Sequence, residues 1–134
     1  MGNLAKNAVV RANTTLTRSS TGWTTAKKLP QLGTQGLILS VSLRMSASGA
    51  GTAATLYVGD DDFTDAPDDL DVAYESASIS LSGSATAAEL RDALSVPAPY
   101  SVGAPGDLQV NANITAGGAG ASTLNVTILA EVFA

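Results

Sequence analysis

The chain has 134 residues and a formal net charge of −5, and it contains no histidine and no cysteine. The missing thiols exclude disulfides and thiolate metal sites. The missing imidazoles exclude the commonest general base and any Ser/His/Asp or Cys/His nucleophile. Gly, Ala, Ser and Thr make up 64 residues and Leu, Ile, Val and Phe only 31, so a single domain over residues 1–134 has a thin core that association would reinforce.

The opening residues, MGNLAKNAVV, lack the apolar stretch of a secretory signal. They read either as a frayed tail or as an extended arm over residues 1–8 that adds a strand to a neighbour. In the second reading Asn3, Leu4 and Lys6 touch a partner. Residues 9–17 are extended and rich in Thr. Residues 18–36 are broken by Gly22, Pro30, Gly33 and Gly36. They carry the only tryptophan, Trp23, close to the basic pair Lys27 and Lys28. Trp23 reads either as a plug for the end of a sandwich or as a partner contact.

Next comes GLILSVSLRMSAS, in which Leu39, Val41, Leu43, Met45 and Ala47 alternate with Ser40, Ser42, Arg44 and Ser46. Period two predicts a half-buried strand. A Gly-Ala-Gly turn at 49–51 leads to ATLYVG, a returning strand. Seven of the twelve residues from Asp60 to Asp71 are aspartates. Three readings of this loop stand side by side: a solvated acidic loop, a Ca²⁺ site, and a docking loop for a basic surface through Asp60, Asp61, Asp62 and Asp65. An EF-hand reading fails at Thr64 and Asp65, so no metal is assigned, and no cofactor motif occurs.

VAYESASISLSG alternates again. TAAELRDALS predicts one short helix near 86–95, because Thr86 and Glu89 form a capping box and Leu90 and Leu94 lie four apart. Glu89 and Asp92 then share a solvated helix face. Two strands close the chain, DLQVNANITAG and ASTLNVTILAEVF. VSLRMSASGAG (41–51) matches VNANITAGGAG (110–120) at an offset of 69, and ATLYV (54–58) answers STLNV (122–126). The two segments read as matched hairpins, either from an internal repeat or because similar hairpins demand similar residues. Together these elements predict an all-β, single-domain β-sandwich of jelly-roll type with one short helix.

The charges are segregated along the chain. Residues 1–59 hold six basic side chains and no acid, and beyond them only Arg91 is basic. A split like this suits two contact surfaces better than a catalytic centre. The acidic total argues against a nucleic-acid partner. The longest apolar run, residues 37–39, argues against a membrane span.

In its Thr/Ser/Ala/Gly-rich strands, such as ANTTLTRS and SISLSGSA, and in its closing ILAEVFA, the chain resembles capsid decoration (cement) proteins of tailed bacteriophages. The resemblance is one of style over the whole chain and carries no diagnostic motif. It implies a structural virion protein, not an enzyme, that binds the major capsid protein on the outer capsid surface and bridges capsomers. It also implies a homo-oligomer, dimer or trimer, made in the host cytoplasm. The competing reading is a receptor- or carbohydrate-binding β-sandwich of a phage tail or head fibre. A carboxylate-only glycosidase would need two acids facing each other across a cleft.

Overall fold

The computed structural model describes residues 7–18, 21–47, 52–60, 72–81, 87–116 and 122–133. Their strands are β1 (Ala8–Arg18), β2 (Gly22–Trp23), β3 (Lys27–Lys28), β4 (Gln35–Ala47), β5 (Ala53–Gly59), β6 (Val72–Glu75), β7 (Ile79–Ser80), β8 (Ala87–Ser101), β9 (Gln109–Ala116) and β10 (Ser122–Val132), with a 3₁₀ turn at Pro30–Leu32.

Every strand pair is antiparallel. The first sheet has the order β1-β10-β4-β8. In the second, β2 and β3 share one side of β9, β5 follows, and β6 and β7 share the far side of β5. With each of those short pairs counted as one interrupted strand, eight strands form two four-stranded sheets, and the chain passes repeatedly from one to the other. This is the jelly-roll arrangement of two Greek keys.

Alternation builds the core. Leu16, Val41, Leu43, Met45, Leu124, Val126 and Ile128 from the first sheet meet Ala54, Leu56, Val58, Val110, Ala112 and Ile114 from the second, all buried. Small residues at Ala12, Ala54, Ala112 and Ala130 keep this layer thin. Gly36 marks a close approach. A Cβ there would collide with the Glu131 carbonyl and with the Tyr100 ring and hydroxyl. Gly33, at φ +62°, closes the 3₁₀ turn in a conformation that favours glycine.

Two expectations are corrected. In place of the helix expected near 86–95, residues 87–95 are part of β8, which pairs with β4 from Gln35↔Ser101 to Ser46↔Ala87, and Thr86 lies outside the described residues. Leu90 and Leu94 sit on one face in either geometry, because a spacing of four fits both the helical turn and the period of a strand. Strand pairing prevails because it covers the open edge of β4. Glu89 and Asp92, three apart, accordingly point to opposite faces, not to one helix face.

The matched segments are not hairpins. β4 and β5 lie in different sheets, as do β9 and β10; β4 pairs with β10, and β5 with β9. Each half therefore pairs with the other half, which makes the two segments the centre of the sandwich. Of the expected arm over 1–8, Ala8 pairs with Val132 at the start of β1, and residues 1–6 lie outside the described residues.

Candidate interaction surfaces

β2 and β3 hold the Trp23 segment against the edge of β9, with Trp23 opposite Asn113 and Lys28 opposite Gln109. Trp23 is half-buried and absent from the core cluster. Its ring packs on Tyr57 at 5.2 Å between centroids, tilted by 50°. Arg18 fixes the loop from behind: its Nε donates to the Thr21 carbonyl at 2.9 Å and its Nη1 to the Trp23 carbonyl at 2.8 Å. Trp23 is thus a cover on the outer side of the second sheet, not an end plug. Burial, and secondarily the charge of Glu75, raise the Tyr57 hydroxyl above its ordinary pKa.

Between β2 and β3 the ladder is completed by a side chain. Thr24 N–H donates to the Ala112 carbonyl at 2.9 Å. The Ala112 N–H is shared between Thr24 Oγ1 at 3.1 Å and Asn111 Oδ1 at 2.9 Å. The Thr24 hydroxyl donates to the same Asn111 oxygen. Asn111 is fully buried, and its Nδ2 has no partner among the described residues.

The outer face of the first sheet carries three polar cross-strand pairs. Thr15 donates to Asn125 at 3.0 Å, Thr127 to Asn13 at 2.8 Å, and Arg44 Nη1 to Glu89 Oε1 at 2.7 Å. Each of these is a cross-strand pair in register. Arg91 stands 3.9 Å from the other Glu89 oxygen. A shallow cleft of about 180 Å³ lies here, lined by Ser42, Arg44, Glu89, Arg91, Asn125 and Thr127 among others. The ion pair is solvent-exposed and contributes at most about 1 kcal/mol.

Two tyrosines tie elements together. Tyr74 on β6 donates to Asp92 Oδ2 on β8 at 2.7 Å, joining the sheets along one side. Burial first, and then the Asp92 carboxylate, raise its pKa strongly. Tyr100 donates to the Leu32 carbonyl at 2.7 Å, and burial pushes its pKa up to about 12.

The sequence-derived site residues fall in separate places. Lys27 and Lys28 are exposed on the edge strand β3, beside the Trp23 cover. Arg11 and Arg44 belong to the first sheet, and Arg18 is spent on the loop, so the basic front of the sequence is divided between both sheets. Asp60 follows β5, half-buried, at a second cleft of about 220 Å³ that also touches Pro99, Tyr100 and Leu108. Asn3, Leu4 and Lys6, and also Asp61, Asp62 and Asp65, lie outside the described residues. Among the described residues no three His, Cys, Asp or Glu side chains gather around a metal-sized space. No described helix is long and apolar enough to cross a membrane. The tyrosine ties and the Asn111 network were not legible beforehand, because each joins residues distant in the chain.

No protein-family model matches the chain, and no curated protein matches it in sequence. Solved structures do. A chain of the cyanophage Pam1 capsid asymmetric unit superposes with a TM-score of 0.55 at 20% identity, over 98% of this chain and 90% of that one. A chain of infectious bursal disease virus, Gx strain, gives 0.49 at 10% identity over 96% of this chain but 32% of its own. A family two carbohydrate esterase from Cellvibrio japonicus gives 0.33 at 13% identity, over 92% of this chain and 35% of the esterase. Only the first is close enough to weigh, and at that identity it speaks to fold alone. The chain has the jelly-roll β-sandwich fold, and it shares that fold across nearly its whole length with a chain of a cyanophage capsid.

Proposed function

We propose that this chain is a structural virion protein that binds the outer surface of a phage capsid and stabilises it by bridging capsomers. The observation that carries the reading is the near end-to-end likeness to the cyanophage capsid chain. A chain of similar size and fold, matched without large insertions on either side, fits a protein whose whole body is the functional part. Capsid cementing requires no reacting group, only a rigid β-body and faces that match the shell.

The partner in this reading is the major capsid protein. Its contacts are Lys27 and Lys28 on the exposed β3 edge, with Trp23 beside them. Asn3, Leu4 and Lys6 contribute from the chain start, and Asp60, Asp61, Asp62 and Asp65 form a second, acidic contact. Exposed lysines on a sheet edge steer docking toward an acidic surface. A carbohydrate-binding role gains nothing from the aromatic pair, because Tyr57 is buried and the two rings are tilted, which leaves no flat platform for a sugar ring.

The test is reconstitution. Purified protein is added to heads of the encoding phage assembled without it. Saturable binding and a higher head melting temperature are expected. Heads that neither bind the protein nor melt higher would overturn the proposal.

A further inference from the structure

The described strands leave four sheet edges, and three of them are blunted. β8 carries Pro97 and Pro99, which have no N–H to offer, and its register against β4 shifts between Ile38 and Ser40. β2 and β3 are two residues each, interrupted at residues 24–26, and β3 consists of two lysines. β6 and β7 are four and two residues long. Short strands, bulges, prolines and lysines are the devices that keep an edge from pairing with another chain. β1 has none of them. It runs for eleven residues without a proline and pairs one-for-one with β10, from Ala8↔Val132 to Arg18↔Ser122, with no register shift. An antiparallel strand turns every second N–H and C=O away from its partner. Among the described residues no backbone hydrogen bond reaches β1 from that far side. The open row is about 37 Å long at a rise of about 3.4 Å per residue.

The charges around this edge have one sign. Arg18 reaches from β1 to the Trp23 carbonyl, so β1 and the β2/β3 edge border the same side of the sandwich. That side carries Arg11, Arg18, Lys27 and Lys28, and β1, β2 and β3 contain no acid. Glu75, Glu89 and Asp92 belong to β6 and β8, which the Tyr74–Asp92 hydrogen bond joins along the other side. Among the described residues Arg11 forms no ion pair; the pairs that do form belong to Arg44, Arg91 and Glu89. Arg18 donates to carbonyls, which leaves its charge uncompensated.

We propose that β1 is a docking edge for an extended acidic segment of another protein, which adds a fifth strand to the first sheet. Main-chain hydrogen bonds to the open row would hold the segment, and alternate side chains would set its specificity. Its outward side chains stand beside Arg11 and call for acids. Its inward ones stand beside Val10, partly buried against the core, and call for apolar residues. Charge selects against a second copy of β1 as the occupant, because two such strands would put four arginines and no acid on one ladder. The inference does not rest on the virion reading: heads that ignore the protein would refute that reading and leave this one standing.

Heteronuclear NMR on the full chain tests it. The probe is a synthetic peptide matched to the eleven residues of β1, with Val alternating with Thr and Glu. Its twin carries Lys in place of Glu. The acidic peptide should bind saturably, shift the β1 amides and slow the exchange of every second one. The twin should bind about tenfold more weakly at low salt, and Arg11→Glu should reverse that preference. Thr14→Pro and Thr15→Pro separate the edge from the ladder, since of two neighbours one aims its N–H outward and the other bonds β10. The outward one should melt near the parent temperature and lose the peptide, and the other should melt lower. No saturable binding up to millimolar peptide, equal binding of the two peptides, or shifts confined to another edge would each overturn the proposal. So would two folded proline variants that both keep the peptide. Protection of the same amides that grows with the concentration of the chain alone would put a second copy on the edge, and would overturn it as well.

Discussion

Tyr100→Phe isolates one buried hydrogen bond. The Tyr100 side chain runs from β8 past Gly36 to the Leu32 carbonyl, its hydroxyl 2.7 Å from that oxygen, and the residue is 6% exposed. Phenylalanine keeps the ring, so no cavity term enters. What remains is a carbonyl at the end of the 3₁₀ turn that loses its donor in a place water reaches poorly. Leaving such a group unsatisfied costs about 1–3 kcal/mol. With an unfolding entropy of about 2.1 cal/mol/K per residue, a chain of this length loses about 3.5 °C of Tm per kcal/mol. The expected drop is therefore roughly 4–10 °C. Calorimetry on parent and variant at one fixed protein concentration reads it directly, since self-association would otherwise shift Tm. A drop under about 1 °C would mean that the carbonyl finds water or another donor, and the account of this contact would be wrong.

Gly36→Ala should destabilise more than a glycine-to-alanine change in an open strand, because the new Cβ meets the Glu131 carbonyl as well as the Tyr100 ring; adding Tyr100→Phe should not rescue it, and chemical denaturation of both variants decides. Alkaline pH should weaken the fold. Tyr100 titrates near 12 and Tyr74 higher still when folded, against about 10 in the unfolded chain. Their contribution is thus complete below about pH 10 and is lost as pH climbs through 10 toward 12. Urea midpoints across that range should fall, less steeply in Tyr100→Phe, and a flat profile would count against the burial of both hydroxyls. Lys27→Glu with Lys28→Glu should weaken attachment to heads, more so at low salt where screening is least; co-sedimentation that does not change would reduce the lysine edge to a solubility feature.

Strand alternation was readable wherever one face is buried. The run from Leu39 to Met45 and the run from Leu124 to Val132 both appear as strands, with Val41, Leu43, Met45 and the second run inward as expected; at the start of the first run Ile38 is buried instead and Leu39 is only half-buried, because the register of β4 with β8 shifts between Ile38 and Ser40. The reading failed where two periods coincide, at Leu90 and Leu94, since only the vacant edge of β4 chooses between helix and strand. It failed again at the matched segments. A Gly-Ala-Gly turn closes a hairpin or crosses between sheets with equal local comfort, and what decides is which partner strand completes each sheet. The tyrosine ties and Asn111 beneath Thr24 join residues far apart in the chain, so no local pattern announces them.

Composition alone removed nucleophilic His- and Cys-based chemistry, and alternation alone dictated a β-sandwich, because absent atoms cannot react and a period of two can bury only one face. The tertiary structure decided the rest. It divided the basic front between two sheets and turned the tryptophan outward onto Tyr57. Those outcomes depend on strand order and register, which are settled by competition among long-range pairings and not by any residue's neighbours in sequence.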